Sequence, residues 1–227
     1  MENIGLDCNK RKSRPAVICD FDDTTMLENV AEIILKEFGG DEWEVYRKQH
    51  SLKMIGLKEY QELAFKSVHA DVTQMKAIVK QRANLRPYFK TLFDYCENHD
   101  IPLAIATLGL DFYVEAVLER EGMETLQHYS AKTKFIGNQM QFSYPYASDH
   151  CWQTGNCKCA VIHKYRSLGY SILFAGDGNS DICPADKADT VFAHRFLEQN
   201  YQSRGLSYIP LTDFAQVLCE LHKSQSY

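Results

Sequence analysis

Short runs of consecutive apolar residues recur along the chain and predict buried strands. The clearest is Pro15–Cys19, and similar runs cover 101–107, 171–175 and, more briefly, 190–193. Runs that stay apolar at every position are typical of strands covered on both faces, as in a parallel sheet. We therefore expect these four segments to lie in the interior of one sheet.

Stretches with helical periodicity separate these runs. The apolar residues that share a helical face are Phe89, Leu92, Phe93 and Cys96 before the second run, and Val161, Ile162, Tyr165 and Leu168 before the third, where Gly169 is expected to end the helix. Helices that alternate with buried strands favour an α/β fold with a parallel sheet.

Residues 27–84 break this alternation, because they carry helical patterns and no strand-like run. The patterns are 27–38, which Gly39 and Gly40 follow, and three more near 41–50, 57–69 and 71–82. We predict a core formed by residues 1–26 and 85–227, with 27–84 inserted after the first strand as a helical cap. The stretch 129–146 instead predicts a small hairpin that turns near Gly137 and Asn138.

Composition narrows the class of protein. Hydrophobic residues make up 45% of the 227 positions and aromatic residues 12%, which is more than a disordered chain carries. The net charge of −5 disfavours binding to nucleic acid. Residues 10–12 and Arg14 form a short basic run, which we interpret as a solvated tail.

Nothing in the sequence predicts a membrane location. No window approaches the roughly 18 apolar residues of a membrane span, and residues 1–8 have no apolar run typical of a signal peptide. Most of the eight cysteines are scattered singly in apolar contexts, as in reduced intracellular proteins. We expect a cytoplasmic protein; the sequence does not indicate its oligomeric state.

Carboxylates cluster after two of the predicted strands. Asp20, Asp22 and Asp23 follow the first strand, and Asp177 and Asp181 follow the third. The carboxyl ends of parallel strands are where open α/β sheets bind ligands. Crowded carboxylates repel one another unless a cation is present, and this density of oxygen ligands suits Mg²⁺.

Two further polar positions occur at comparable places. Thr107 ends the second strand, and Gly109 follows with a free backbone N–H. Lys158 begins the helix that precedes the third strand. Each cluster alone also fits a helix cap, a turn or a surface lysine. Their common position at one edge of the sheet favours a phosphoryl-binding site.

These positions resemble the four motifs of the haloacid dehalogenase superfamily. The motifs are Asp20-Phe-Asp22-Asp23-Thr24, Thr107, Lys158 and Gly176-Asp177-Gly-Asn-Ser-Asp181. The resemblance covers about residues 15–215. It implies a Rossmann-like core and, because a helical module follows the first motif, a cap similar to that of the phosphoserine phosphatase group.

The resemblance also implies a mechanism. Asp20 is the expected nucleophile, which forms a phospho-aspartyl intermediate. Asp22 is the expected acid and base, first for the leaving group and then for water. Mg²⁺ is expected to bind to Asp20, the backbone carbonyl of Asp22, Asp177 and, through water, Asp181. The presence of Asp22 disfavours a dehalogenase, because halide leaves without a proton.

The same resemblance assigns Thr107 and Lys158 to the phosphoryl oxygens. A finer similarity, in 144–145, 157–163 and 206–214, is to phosphatases of methionine salvage that act on 2-hydroxy-3-keto-5-methylthiopentenyl 1-phosphate. Two positions depart from the group's pattern: Leu108 replaces a glycine, and Cys159 replaces a proline.

The expected partner is a small phosphorylated metabolite, and the candidate substrate contacts are Glu28, Gly109 and Arg86. Glu28 resembles an acidic substrate-facing residue of phosphoserine phosphatases, but a carboxylate in a first helical turn is equally favourable. Arg86 meets either a substrate carboxylate or solvent. A phosphatase for another metabolite such as phosphoserine, a phosphotransferase, and an inactive binding module that senses phosphorylated ligands remain alternatives.

Three cysteines, Cys151, Cys157 and Cys159, lie close together in the sequence, with His150 and His163 nearby. Their spacing matches no common zinc pattern, so we expect a structural loop in preference to a metal site.

Overall fold

A computed structural model describes residues 13–137, 139–151 and 154–225. The basic run at 10–12, the N-terminal residues 1–8 and Asn138 of the predicted turn lie outside the described residues. No helix in those three ranges combines the length and the apolar character needed to cross a bilayer.

A mixed sheet forms the centre of the fold, with the strand order β4-β3-β2-β1-β5-β6-β7. The strands are β1 (Pro15–Cys19), β2 (Leu103–Leu110), β3 (Gln127–Ile136), β4 (Gln139–Ser143), β5 (Ser171–Gly176), β6 (Thr190–Ala193) and β7 (Ile209–Pro210). Every pairing is parallel except that of β3 with β4. The predicted α/β fold and its four predicted strands are confirmed.

Ten helices connect these strands or follow the last of them in the described part of the chain. They are α1 (Val30–Phe38), α2 (Glu42–Ser51), α3 (Leu57–Lys66), α4 (Val72–Arg82), α5 (Phe89–Asn98), α6 (Asp111–Glu121), α7 (Lys158–Ser167), α8 (Ile182–Ala185), α9 (Arg195–Ser203) and α10 (Ala215–Gln225). The helical segment predicted after the first strand is therefore present as α1–α4.

The sequence of β1 is apolar throughout because the strand is buried on both faces of the sheet. Val17 and Cys19 pack into the core on one face of the sheet, while Ala16 and Ile18 pack on the other. Because helices cover both faces, neither set of side chains tolerates a polar residue. This central strand also pairs with both β2 and β5, which brings the carboxyl ends of the three strands together.

The two connections between α1–α4 and the rest of the chain run side by side. Met26 and Leu85 form an isolated antiparallel bridge, and Leu27 N–H donates to the carbonyl of Asn84 over 2.9 Å. Helix α1 begins only at Val30, because the Asn29 side chain caps it. Leu27, the first residue of the helical pattern predicted over 27–38, lies before the helix and is 42% exposed.

The predicted hairpin is an extension of the main sheet. Its strands β3 and β4 pair antiparallel, with Ile136 opposite Gln139, but the first half of β3 also pairs parallel with β2. A second difference concerns α7, which ends at Ser167. Leu168 is 64% exposed in the turn before Gly169, so it does not belong to the buried face.

Candidate active site

The register between β2 and β3 shifts between Ala106 and Leu110. The irregularity lies within residues 107–109, so the strand does not end at Thr107, as its sequence suggested, but bends and continues to Leu110. Thr107 and Gly109 lie in this part of β2, at the carboxyl edge of the sheet, and both are buried. There they line the same cavity as Asp20, which directly follows β1.

Lys158 links two of the motif carboxylates. Its Nζ atom lies 2.7 Å from Oδ2 of Asp20 and 2.6 Å from Oδ1 of Asp181. All three residues are at most 7% exposed. Burial alone would disfavour the ammonium group, but the two neighbouring carboxylates outweigh it and raise the pKa of Lys158 above its ordinary value. Lys158 therefore stays charged at the centre of the site.

Asp181 is held by hydrogen bonds to both of its oxygens. Oδ1 faces Lys158, and Oδ2 accepts hydrogen bonds from the backbone N–H groups of Asp177 and Gly178 at 3.0 and 2.9 Å. A Cβ atom on Gly176 would lie 2.6 Å from Cγ of Asp181. Only glycine therefore allows β5 to end so close to this carboxylate.

Within the described ranges, Asp20, Asp177 and Asp181 form the one group of three or more histidine, cysteine or acidic residues whose ligating atoms all lie within 4.8 Å of one another. Burial, followed by the charge of Asp181, raises the pKa of Asp20 well above its ordinary value. The same two causes raise the pKa of Asp177 to about 6. Among the described residues, Lys158 is the only cationic group in direct contact with these three carboxylates. One ammonium group cannot balance three negative charges, so the carboxylates are suited to bind a hard metal cation through their oxygens.

Asp22 lies on the loop between β1 and α1, facing the cap. Its Oδ1 accepts a 2.6 Å hydrogen bond from Val30 N–H, and the hydroxyl of Tyr113 lies 3.4 Å from its Oδ2. Burial is the main cause that raises the pKa of Asp22 to about 7. A carboxyl group with this pKa can both donate and accept a proton near neutral pH.

Tyr113 is a site residue that the sequence did not reveal. It belongs to α6, whose buried residues point in all directions around the helix axis, so no amphipathic stripe marks this helix. The Tyr113 hydroxyl also explains Gly109, where a Cβ atom would lie 2.3 Å from it. Gly109 N–H donates to Oγ1 of Thr107 over 2.9 Å, which orients the hydroxyl in the bend of β2.

Arg86 is buried beneath the loop that carries Asp22. Its guanidinium donates to the backbone carbonyls of Thr24 and Asp23, each at 2.6 Å, and to that of Thr212 at 3.2 Å. It does not appear among the described residues that line the cavity. We predicted that Arg86 meets either a substrate carboxylate or solvent. In the structure its side chain faces neither the cavity nor solvent, and it holds the loop through these hydrogen bonds.

Glu28 likewise turns away from the cavity. Its carboxylate accepts hydrogen bonds from the backbone N–H and the side-chain amide of Asn84, at 2.9 and 2.8 Å. These contacts join the two chain connections to the cap. Glu28 precedes α1, so its direction follows the connection and not the helix.

A cavity of about 300 Å³ lies between the motif residues and the cap. The cap contributes residues that the sequence did not single out: Asn29, Ala31, Glu32, Leu35, Arg47, His50, Leu57, Tyr60, Gln61, Ala64 and Phe65. Gln61 also reaches the core, where its side-chain amide donates to the carbonyl of Leu108 over 3.0 Å. Which residues of a cap helix face a core cannot be read from helical periodicity, because it depends on how the helices dock.

No protein-family model matches the chain. Curated relatives nevertheless match almost all of it. A 2-hydroxy-3-keto-5-methylthiopentenyl-1-phosphate phosphatase of Lysinibacillus sphaericus is 30% identical over 219 residues, which cover 90% of this chain and 92% of the relative. A phosphatase of the same name from Brevibacillus brevis is 27% identical over 212 residues, with 92% and 96% covered.

Solved structures share the fold. One, described as a phospho-aspartyl intermediate analogue of phosphoserine phosphatase, superposes with a TM-score of 0.69 over 92% of this chain and 99% of that one, at 14% identity. The chain belongs to the haloacid dehalogenase superfamily of phosphatases and has a phosphoserine-phosphatase-like fold.

Proposed function

We propose that the chain is a Mg²⁺-dependent phosphomonoesterase whose nucleophile is Asp20 and whose substrate is 2-hydroxy-3-keto-5-methylthiopentenyl 1-phosphate. The chemistry is supported by one observation: Asp20, Lys158, Asp177 and Asp181 lie together at one edge of the sheet, next to the cavity below the cap. The relatives' activity supports the substrate.

Asp20 attacks phosphorus with one carboxylate oxygen. Its Oδ1 accepts a hydrogen bond of 2.7 Å from Phe21 N–H, and its Oδ2 faces Lys158 at 2.7 Å. These contacts fix the carboxylate, so that little rotational freedom is lost when the phosphate binds. Lys158 balances part of the negative charge, and with Thr107 it holds the phosphoryl oxygens.

Asp22 transfers the proton in both halves of the reaction. The Val30 N–H occupies Oδ1, which leaves Oδ2 to carry the proton toward the leaving oxygen. In the second half, the same oxygen accepts a proton from the water that attacks the phospho-aspartate. A pKa of about 7 suits both roles at neutral pH.

The Asp20 and Asp177 carboxylates and the Asp22 backbone carbonyl would hold Mg²⁺ directly, with Asp181 behind them. When bound, the ion would shield the anionic nucleophile from the anionic phosphate. Asp181 suits an indirect role, because both of its oxygens already accept hydrogen bonds within the protein.

The cavity walls suit the proposed substrate. Leu35, Leu57 and Phe65 offer apolar surface for a methylthio chain, while Tyr60 and Gln61 offer polar atoms for hydroxyl and keto groups. Residues 27–84 act as the cap that encloses the substrate and excludes water.

The test is phosphate release from a panel of phosphorylated metabolites, with and without Mg²⁺. The proposed substrate should give the highest kcat/KM, well above phosphoserine. A higher kcat/KM for phosphoserine would overturn the substrate assignment and leave the chemistry intact. Adding alcohols to the assay and measuring phosphorylated products separates hydrolysis from phosphotransfer.

A further inference from the structure

Four cysteines surround the segment that carries Lys158, and their sulfurs lie in two close pairs. The Sγ atoms of Cys159 and Cys183 are 3.2 Å apart, and those of Cys151 and Cys157 are 3.4 Å apart. All four are free thiols in the structure. No three of the four sulfurs lie within 4.8 Å of one another. Among the described residues, only the group of Asp20, Asp177 and Asp181 has three ligand atoms that close together.

The Cys159–Cys183 pair combines an accessible thiol with a shielded one. Cys183 is exposed on α8, whereas Cys159 is 8% exposed in the first turn of α7. The Nζ atom of Lys187 lies 3.1 Å from the sulfur of Cys183. An exposed sulfur can meet a reagent first, and a buried sulfur at contact distance can then complete the exchange.

We propose that Cys159 and Cys183 are a site of reversible oxidation, where a disulfide reagent such as oxidised glutathione converts the two thiols into a disulfide that suppresses phosphatase activity. This modification goes beyond the proposed hydrolysis and does not depend on which phosphate ester is the natural substrate.

The exchange balances in two steps. The Cys183 thiolate attacks one sulfur of oxidised glutathione, forming a mixed disulfide and releasing a glutathione thiolate. The Cys159 thiolate then attacks the Cys183 sulfur, forming the internal disulfide and releasing the second glutathione thiolate. The protein loses two thiol protons and two electrons, and the reagent takes them up to become two molecules of glutathione.

The crosslink acts on the site through chain neighbours. Cys159 directly follows Lys158, and Cys183 lies two residues after Asp181. A disulfide bond is about 2.05 Å long, so the sulfurs must approach each other by about 1 Å. Any backbone movement at Cys159 or Cys183 that accompanies this approach also moves Lys158 or Asp181, whose side chains are 2.6 Å apart. Misplacement by about 1 Å at a catalytic site costs roughly 100-fold in rate.

The test treats the full chain with oxidised glutathione and measures hydrolysis of an aryl phosphate. This generic ester reports the phosphatase chemistry, so an error in the proposed natural substrate does not affect the result. Wild type should lose at least about tenfold in kcat. Dithiothreitol should restore it, and peptide mapping should recover a Cys159–Cys183 crosslink.

Three variants sharpen the test. Under reducing conditions, Cys183→Ser should be as active as wild type, and oxidised glutathione should not inactivate it. Cys159→Ser should stop at the glutathione adduct on Cys183, which shows that Cys159 is the second thiol. Cys219→Ser is the matched control, because Cys219 is another exposed free cysteine, and this variant should respond like wild type.

Several results would overturn the proposal. One is a mapped crosslink between Cys151 and Cys157 in place of the expected one. Another is unchanged activity in protein that carries the Cys159–Cys183 bond. A third is that oxidised glutathione inactivates Cys183→Ser as strongly as wild type. Stoichiometric zinc in the reduced protein, lost when these cysteines are replaced, would also overturn it by showing that the cluster is a metal site.

Discussion

The backbone N–H of Val30 donates a 2.6 Å hydrogen bond to Oδ1 of Asp22. Val30 is the first residue of the first cap helix, and Asp22 lies on the loop that follows the nucleophile strand. The N-terminus of a helix stabilises a nearby negative charge, so this contact opposes the effect of burial on Asp22. The position of α1 and the protonation of Asp22 are thereby linked.

Replacing Asp20 with asparagine should abolish turnover. An amide is a poor nucleophile, and the change removes one ligand of the proposed ion. We expect kcat to fall by at least about 10⁴-fold, measured on both an aryl and an alkyl phosphate. Circular dichroism should show that the variant is folded. Activity within about tenfold of wild type would contradict the assignment of the nucleophile.

Chelation should stop phosphate release, and added Mg²⁺ should restore it. The reason is the three carboxylates that meet within 4.8 Å and repel one another without a cation. The measurement is kcat/KM after dialysis against EDTA, followed by titration with Mg²⁺, and with Ca²⁺ as a control of similar charge. Full activity in thoroughly chelated protein would count against an ion in this site.

The sequence located Asp20 and Asp177 because each directly follows a strand with a clear signal. Asp20 follows β1, whose continuous apolar run reflects burial on both faces, and Asp177 follows β5 in the same way. The direction of Glu28 was not predictable, because its carboxylate is recruited by Asn84, which lies 56 positions later. The role of Tyr113 was not predictable either, because α6 is buried on nearly every side and no apolar stripe separates site residues from core residues.

The stability of the chelated protein should depend on the protonation of Asp22. The folded pKa of about 7 lies above the ordinary value near 4, so the folded state takes up a proton between those values. The resulting stability is fully present below pH of about 4 and is lost as the pH rises through about 7. Asp22→Asn carries no such charge and keeps an oxygen for the Val30 N–H.

Without metal, Asp22→Asn should therefore melt at a higher temperature than wild type at about pH 8, by a few degrees, and the difference should shrink as the pH falls to about 5. Histidines with shifted pKa values are present in both proteins, so their effect cancels in this comparison. A difference that is constant over the pH range would show that Asp22 keeps its ordinary pKa.

Arg47→Ala should weaken binding of the natural substrate more than binding of a small aryl phosphate. Arg47 lines the cavity from α2, beside Glu32 at 3.6 Å, and a charged hydrogen bond to substrate is worth about 1.5–3 kcal/mol. We expect KM for the natural substrate to rise about tenfold or more, with kcat on the aryl ester nearly unchanged. Lys48→Ala, which replaces the exposed neighbouring residue, is the matched control. If both variants raise KM equally, Arg47 makes no specific contact with the substrate.

The role of Asp22 can be separated from that of Asp20 by changing the leaving group. Asp22→Asn should slow hydrolysis of an alkyl phosphate by roughly 10²–10⁴-fold, because the alkoxide must leave with a proton. An aryl phosphate needs no such help, so its first step should be slowed far less. Asp23→Asn is the matched control, since the Asp23 side chain pairs with Arg195 at 2.5 Å and has no assigned proton transfer.

With the aryl ester, the second step then limits Asp22→Asn, because no base activates the water that releases phosphate from Asp20. Stopped-flow measurements should show a burst of aryl alcohol followed by slow turnover, and quenching should trap labelled phospho-aspartate. Affinity for Mg²⁺ should change little, because only the Asp22 backbone carbonyl is a proposed ligand. If both esters lose equal activity and no burst forms, the proton comes from another group, for which the Tyr113 hydroxyl, 3.4 Å from Oδ2 of Asp22, is the first candidate.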